Sequence, residues 1–268
     1  MGNEVISCSL SGRVARIGIN RPDKRNALAN RHWVALEAAL DRIAVSAADI
    51  LVLSGVPGAF SAGADIDELG ELLATPEAYA SGNVVVQRTQ LKLQRLPQTT
   101  IAVIDGACVG GGLGLALACD LRLASDRARF AITPAKLGLV YSAEDSRRLV
   151  HAVGMARARE MLLTGRLLDA ATAAGWGLVH QIVDTGDLAG AEATLVESLQ
   201  ATSGQARRGI KTVLAHVGND PAVASAEAAE AFNAAFRSSD FAEGAAAFLT
   251  RRPPVFSGGV LSGGEAQP

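Results

Sequence analysis

The chain has 268 residues and a formal net charge of −2, with 25 lysines and arginines against 27 aspartates and glutamates. Apolar residues make up 49% and charged residues 19%, which excludes a disordered chain, because disorder needs low hydrophobicity and high net charge. The balanced charge argues against nucleic-acid binding. Three cysteines cannot build a disulfide framework and fit a reducing, cytoplasmic setting. The sequence has no unbroken apolar run of about 18 residues, so no membrane span is predicted.

Hydrophobic patterning predicts strands that alternate with helices in the first part of the chain. Strands are predicted at 5–10, 14–19, 49–53, 100–104, 120–124, 128–131 and 179–183. Helices are predicted at 31–44, from 66, at 76–93 and up to 118, and residues 55–63 are predicted as a loop. This alternation favours an α/β architecture over residues 1–185. A helical region is predicted at 186–256 and a disordered tail at 257–268.

Two glycine-rich segments, at 60–66 and 110–114, each join a predicted strand to a predicted helix. Backbone N–H groups at a helix start lack intrahelical partners and favour negative charge. Two such groups that converge on one point would form an oxyanion hole. The alternative is that the glycines only permit tight turns or close packing. A dinucleotide fingerprint is disfavoured, because the sixth position counted from Gly110 or Gly112 is a leucine.

Five segments carry motifs in a specific order and spacing. They are Arg21-Pro22 with Arg25-Asn26-Ala27-Leu28, then Phe60-Ser61-Ala62-Gly63-Ala64-Asp65-Ile66, then Gly106 with Gly110-Gly111-Gly112 and Asp120, then Leu163-Thr164-Gly165-Arg166 with Ala174-Gly175 and Gly177-Leu178-Val179, and finally Glu243-Gly244 with Ala247-Phe248-Leu249 and Arg251-Arg252. Together they resemble the enoyl-CoA hydratase/isomerase (crotonase) superfamily. The resemblance extends over nearly the whole chain, from about residue 5 to residue 256.

The resemblance implies a fold, an assembly and a substrate class. The fold is an α/β spiral of ββα units with a helical C-terminal region used for trimerisation, so the chain is expected to form a homotrimer or hexamer. Family members act on acyl-CoA thioesters through an enolate, which associates the chain with fatty-acid metabolism. The implied activity needs no cofactor, since coenzyme A is part of the substrate.

The resemblance also assigns individual residues. The two oxyanion-hole N–H groups are, by position, those of Ala64 and Gly111. Lys24 and Arg25 are expected to contact the phosphates of CoA, because cationic side chains bind phosphate strongly, and the alternative is a solvated charged loop. The remaining residues expected to contact CoA are Ala62, Asp65 and Ile66. The stretch 69–80 is expected to line the acyl pocket.

Two positions depart from the pattern of the hydratases. By register, their two catalytic glutamates fall on Gly114 and Pro134 in this chain, and loss of a positioned acid or base costs about 10²–10⁴-fold in rate. Glu144 is the first candidate for a replacement carboxylate, Asp145 is the other carboxylate nearby, and Tyr141 is a further candidate donor or acid. The alternative reading is that Ser142 caps a helix, with both acids in its first turn, where they could pair with Arg147 or Arg148.

These residues favour an isomerase-like shift of a double bond, with Glu144 as the base, because isomerisation needs one proton shuttle. The alternatives are hydration through a relocated carboxylate, other thioester chemistry such as decarboxylation or hydrolysis, and a non-catalytic protein that binds acyl-CoA. Scattered histidines give no support for a metal site. His32 is expected at the surface, and Cys108 and Cys119 are expected to be inert core residues.

Overall fold

Two β-sheets, composed mainly of parallel strands, stand at the centre of the fold. The structure is a computed structural model, and it describes residues 4–56, 58–65, 67–68, 76–217 and 226–256. Within these residues the larger sheet has six strands in the order β1-β2-β3-β5-β7-β10. They are β1 (Ile6–Ser11), β2 (Val14–Ile19), β3 (Ile50–Gly55), β5 (Thr99–Ile104), β7 (Leu121–Ser125) and β10 (Gln181–Val183). The β1–β2 pair is antiparallel and the other pairs are parallel.

The smaller sheet pairs four short strands in the order β4-β6-β8-β9. They are β4 (Ala59–Ser61), β6 (Ala107–Val109), β8 (Arg129–Ala131) and β9 (Leu168–Asp169). Each strand of the larger sheet from β3 to β7 is followed by one strand of the smaller sheet and then by a helix. This repetition produces the spiral of ββα units.

The helices cover the outer faces of the two sheets. They are α1 (Asn30–Ala44), α2 (Pro76–Gln94), α3 (Gly111–Ala118), α4 (Ala143–Thr164), α5 (Ala170–Gly175), α6 (Leu188–Gln200), α7 (Gly204–Val217), α8 (Ala226–Phe236) and α9 (Ser239–Leu249). In α1 the apolar residues predicted by helical spacing, Trp33, Leu36, Leu40 and Ile43, are all buried against the sheet. Within the described residues, no helix is long and apolar enough to cross a membrane.

The C-terminal helix α6 packs on the face of the larger sheet opposite to the face that α1 covers. Val196 of α6 joins a second apolar cluster formed by β2, β3 and β5. On α7, Arg207 forms a buried salt bridge of 2.9 Å with Asp49, and the Nζ of Lys211 lies 2.7 Å from Asp120. These ion pairs join the helical region to the strand starts of the sheet.

Three strands of the smaller sheet depart from the sequence prediction. Strand β4 lies within the stretch 55–63 predicted as a loop, β6 lies between the predicted strand 100–104 and the glycine-rich segment 110–114, and β9 lies between the predicted strands 128–131 and 179–183. Each has only two or three residues, which is too short to show an alternating pattern in the sequence. Such a strand forms only because it pairs with a strand that is distant in the chain. Two predictions lie outside the described residues: the tail at 257–268 and most of the short helix from 66, of which 67–68 are helical.

Candidate active site

The two glycine-rich turns are packed against each other more closely than side chains would allow. A Cβ atom on Gly63 would lie 2.7 Å from the carbonyl oxygen of Val109 and 3.4 Å from the nitrogen of Gly111. A Cβ atom on Gly112 would lie 2.4 Å from the carbonyl oxygen of Ser61. Glycine at 63 also has a φ of 93°, which side chains disfavour. The turns therefore meet mainly through backbone atoms.

The backbone N–H groups of Ala64 and Gly111 lie on these adjoining turns. Leu28 pairs with the first turn through the carbonyl oxygen of Gly63 (2.8 Å) and the N–H of Asp65 (3.2 Å), and this leaves the N–H of Ala64 on the other edge. Gly111 is the first residue of α3, where intrahelical acceptors are absent. Within the described part of the chain, neither N–H has an acceptor, and Ala64 is exposed. Two backbone donors without an acceptor among these residues therefore lie on adjoining turns.

Asp65 stabilises the first turn through a buried ion pair. Its Oδ2 lies 2.5 Å from Nη1 of Arg21, which also donates to the carbonyl oxygen of Ala27 at 3.2 Å. Burial by itself raises the pKa of Asp65. The hydrogen bonds from Arg21 and from the N–H of Asp67 outweigh this effect, so the net pKa lies below its ordinary value. The carboxylate of Asp65, predicted to contact CoA, is thus engaged within the protein.

The other predicted CoA contacts differ in their surroundings. Lys24 forms an exposed ion pair of 2.8 Å with Asp67. Arg25 is exposed, and its carbonyl oxygen accepts a hydrogen bond of 2.9 Å from the N–H of the half-buried Ala62. Ile66 and the predicted acyl-pocket residues 69–75 lie outside the described residues. Lys24 and Arg25 therefore remain available at the surface beside the first turn.

The start of α4 separates the two predicted acids. Ser142 caps the helix, because its Oγ accepts a hydrogen bond of 3.0 Å from the N–H of Asp145, and this confirms the capping interpretation. Glu144 is exposed, whereas Asp145 is buried. Asp145 also forms the predicted ion pair with Arg148, at 2.8 Å. Adjacent residues on a helix point in different directions, so only one of the two acids can face the interior.

Four buried or half-buried polar side chains are hydrogen-bonded to one another, two of them in contact with Gly114, and we call them the polar cluster. It comprises Gln87 and Gln90 from α2 and Asp145 and Arg148 from α4. Gln87 Nε2 donates to Asp145 Oδ2 at 2.8 Å, and Arg148 Nη1 donates to Gln90 Oε1 at 3.1 Å. A Cβ atom on Gly114 would lie 2.4 Å from Gln90 Nε2 and 2.9 Å from Asp145 Oδ1. The side chains of α2 and α4 therefore fill the space that a side chain at 114 would take.

Tyr141 lies between the glycine-rich turn and the polar cluster. Its hydroxyl donates to the carbonyl oxygen of Gly110 at 3.3 Å. Burial, with a smaller effect of the Asp145 charge, raises the pKa of Tyr141 well above its ordinary value, so the phenol is neutral at physiological pH. A cleft of about 190 Å³ opens beside Tyr141, and Pro134 and Leu139 also line it. Tyr141 can thus donate a hydrogen bond but is a poor base.

Two further predictions concerned whether two cysteines and one histidine are buried. Burial raises the pKa of Cys119 to about 12 and raises that of Cys108, which agrees with inert core thiols. The expectation that His32 lies at the surface is wrong, because the side chain is buried and its Nδ1 accepts a hydrogen bond of 3.0 Å from the N–H of Ala29. Burial lowers the pKa of His32, which suits this capping role.

The part played by the glutamines was not predicted from the sequence. Gln87, Gln90 and Gln94 recur at the spacing of one helical face. Gln94 Oε1 accepts a hydrogen bond of 2.9 Å from Nε of Arg148, so the same stripe holds the arginine twice. A stripe of three amides on one helical face was the available signal, since amides that become buried need hydrogen-bond partners.

Comparisons with known proteins agree with this geometry. The family model for enoyl-CoA hydratase/isomerase matches residues 10–259. The protein named "Probable enoyl-CoA hydratase echA8" from Mycobacterium tuberculosis is 34% identical over 262 residues, covering 96% of this chain and 99% of that protein.

Solved structures match over a similar extent. An enoyl-CoA hydratase/carnithine racemase from Magnetospirillum magneticum is 32% identical with a TM-score of 0.91 and covers 96% of each chain. An enoyl-CoA hydratase from Bacillus anthracis is 28% identical with a TM-score of 0.90, covering 96% of this chain and 100% of that one. With its ββα spiral and its two adjoining glycine-rich turns, the chain is an enzyme of the enoyl-CoA hydratase/isomerase family, in the crotonase superfamily.

Proposed function

We propose that the protein catalyses an isomerase-like shift of a double bond in an acyl-CoA thioester. The observation that carries this proposal is the meeting of two turns whose N–H groups, on Ala64 and Gly111, are both without an acceptor among the described residues. A thioester carbonyl that accepts both hydrogen bonds would become more acidic at its α-carbon, because the donors stabilise the enolate oxygen. Each such donor is typically worth about 2.7–4 kcal/mol in the transition state.

In this proposal Asp145, rather than Glu144, carries the proton. The sequence-based order of preference is reversed because Asp145 is buried beside Gly114 while Glu144 is exposed. Residue 114 follows Gly111 by three positions and so lies on the same helical face. A carbonyl bound at Gly111 would therefore place the reacting carbons near the carboxylate of Asp145. Arg148 and Gln87 fix the position of this carboxylate through hydrogen bonds of 2.8 Å.

The absence of carboxyl groups at Gly114 and Pro134 supports isomerisation over hydration. Addition of water needs one group to activate the water and another to deliver a proton, whereas isomerisation removes and returns one proton. Hydration through Asp145 as a relocated carboxylate remains the alternative, with a protein that binds acyl-CoA without turnover as the third candidate. Decarboxylation or hydrolysis would use the same pair of N–H donors.

The proposal places the CoA portion along the exposed cations of the first loop. Lys24 and Arg25 lie on the stretch whose backbone pairs with the first glycine-rich turn. The Asp67 partner of Lys24 is exposed, so a phosphate group can replace it at small cost.

We also propose a homotrimer or hexamer that acts in the cytoplasm in fatty-acid metabolism. Large apolar side chains are more than half exposed on the three last helices, and a monomer rarely leaves such a patch uncovered. They include Ile210, Leu214, Phe232, Phe236 and Phe248. Light scattering coupled to size exclusion would give the mass of the assembly, and a monomeric mass at micromolar concentration would contradict this part of the proposal.

The test of the reaction is mass spectrometry of 2-enoyl- and 3-enoyl-CoA after incubation with the protein in D₂O. Migration of the double bond with deuterium incorporation and no water adduct is the expected result. A water adduct would establish a hydratase, and binding without any mass change would indicate a non-catalytic protein.

Two neighbouring variants then test the base. We expect Asp145→Asn to lower the exchange rate by about 10²–10⁴-fold, and Glu144→Gln, one residue away, to change it less than about threefold. Circular dichroism checks that both variants are folded. The opposite order of effects would return the role to Glu144.

A further inference from the structure

The peptide unit between Gly110 and Gly111 carries one of the two proposed oxyanion donors. Its N–H belongs to Gly111 and its C=O belongs to Gly110. The unit is trans and planar, so these two groups point in opposite directions and can only rotate together. The direction of the Gly111 N–H therefore depends on what holds the carbonyl oxygen of Gly110.

Packing restrains only one end of this peptide unit. A Cβ atom on Gly111 would lie 3.3 Å from Cζ2 of Trp33, so the indole limits movement at that end. Gly110 has a φ of 53° and a ψ of −118°, a conformation that glycine alone adopts readily. Apart from its neighbours in the chain, no atom lies within 4 Å of a Cβ built on Gly110. Hydrogen bonds to the carbonyl oxygen must therefore hold the orientation at this end.

Tyr141 supplies one of two hydrogen bonds to that carbonyl oxygen. The N–H of Gly114 donates to it at 3.0 Å from within α3, and the hydroxyl of Tyr141 donates to it at 3.3 Å from outside the helix. The phenol keeps its hydrogen, because burial raises its pKa. A carbonyl group that accepts hydrogen bonds polarises the N–H of the same peptide unit, and such cooperativity strengthens a hydrogen bond by about 10–30%.

The same hydrogen bond joins the two halves of the proposed site. Gly111 begins α3 and would hold the thioester oxygen. Tyr141 directly precedes Ser142, the cap of α4, and α4 carries Asp145, the proposed base. The hydroxyl of Tyr141 therefore links the start of one helix to the start of the other. Without this link the Gly110 carbonyl would keep only its bond within α3, and the Gly111 N–H could tilt away from the thioester.

We propose that Tyr141 is a positioning residue, whose hydroxyl orients and polarises the N–H of Gly111 through the carbonyl group of Gly110. Tyr141 exchanges no proton with the substrate in this role. The inference rests on the proposed function, because it requires the thioester oxygen to lie at Gly111. Tyr141→Phe should slow deuterium exchange into acyl-CoA by about three- to tenfold, the effect of one net hydrogen bond. Affinity should change little, because the enolate depends on the donor more than the bound thioester does.

The test is infrared difference spectroscopy of butyryl-CoA, isotope-labelled at the thioester carbonyl carbon, bound to the full chain. The wild-type protein should lower the C=O stretching frequency, because two N–H donors polarise the carbonyl group. Tyr141→Phe should recover part of this shift and lose less than about threefold in affinity. Ser146→Ala is the matched control, because Ser146 lines the same cleft as Tyr141 but makes no hydrogen bond to Gly110. It should keep the wild-type shift and exchange rate.

The carbonyl frequency separates positioning from a merely structural role, since a loosened fold changes how much ligand binds rather than the spectrum of the bound ligand. A wild-type shift and a wild-type exchange rate in folded Tyr141→Phe overturn the inference and leave the proposed function standing. An equal loss of shift in Ser146→Ala also overturns it. Loss of exchange by more than about 10²-fold in Tyr141→Phe would make Tyr141 a proton carrier and overturn it as well. If the wild-type protein binds butyryl-CoA without any shift, both the inference and the proposed function fail.

Discussion

The contact between the two glycine-rich turns makes Gly112→Ala the sharpest test of the proposed oxyanion hole. The added methyl group would lie 2.4 Å from the carbonyl oxygen and 2.8 Å from the Cβ of Ser61. A tolerable contact needs at least 3.0 Å, so the turns must separate by about 0.6 Å. Ser61 precedes Ala64 on one turn and Gly112 follows Gly111 on the other, and the two proposed donors therefore move apart.

Such a displacement should lower the reaction rate strongly and the stability of the fold only modestly. Loss of one oxyanion donor lowers kcat by about 10²–10³, and a misplacement of about 1 Å can cost 10²-fold. We therefore expect Gly112→Ala to lower the rate of deuterium exchange into acyl-CoA by about 10²-fold. Overpacking typically destabilises by about 1–3 kcal/mol, which thermal unfolding would measure.

Gly190→Ala is the matched control. Gly190 lies within α6, and nothing lies within 4 Å of a Cβ built on it. Alanine is the better helix former by roughly 0.8–1 kcal/mol, so this variant should be active and slightly more stable. Wild-type exchange by a folded Gly112→Ala protein would refute the reasoning, because it would show that the contact between the turns does not position the donors.

Three further predictions concern the stability and reactivity of the scaffold. Arg21→Met should leave the buried Asp65 carboxylate unpaired and destabilise the fold by about 3 kcal/mol, as measured by urea unfolding; a loss below about 1 kcal/mol would contradict the buried ion pair. A guanidinium hydrogen bond holds the pKa of Asp105 at about 2, against an ordinary value of 3.8. Because this pKa is lowered in the folded state, the ionised Asp105 stabilises the fold at pH values above 3.8, and the contribution is lost as the pH falls through about 2. The melting temperature of Asp105→Asn should therefore be lower than that of the wild type at pH 7 and approach it near pH 2. A constant difference across this range would be inconsistent with the ionic contribution. Finally, iodoacetamide should label the half-buried Cys8 in the native protein and spare Cys119, whose pKa burial raises to about 12; equal labelling by peptide mass would contradict the burial.

Local patterns were sufficient for the long elements. The spacing of Trp33, Leu36, Leu40 and Ile43 predicted α1 to within one residue, and the apolar run at 100–104 predicted β5 equally well. Capping chemistry at Ser142 was also predictable, because a helix start is a local structure. Of the smaller sheet only β8 was predicted, at 128–131; β4, β6 and β9 were not, since each has two or three residues and exists only through pairing with a distant segment.

For the candidate site, too, one part could be predicted from the sequence and another part could not. The glycine-rich segments could be recognised in the sequence, but the distance between them could not, because it depends on the packing of backbone atoms from separate ββα units. Sequence reasoning ranked Glu144 above Asp145, and burial on the helix gives the opposite order. The polar cluster escaped notice because its members come from two helices more than fifty residues apart in the chain.

The sequence by itself determined the family, the order of the long strands and helices and the two glycine-rich turns, because these depend on neighbouring residues and on motif spacing. The tertiary structure alone decided which side chains share the space at Gly114. Gln90 and Asp145 occupy it because α2 and α4 both pack against α3, where the missing side chain leaves room for them. Packing between helices that are distant in the chain is set by the whole core, and so no local pattern encodes it.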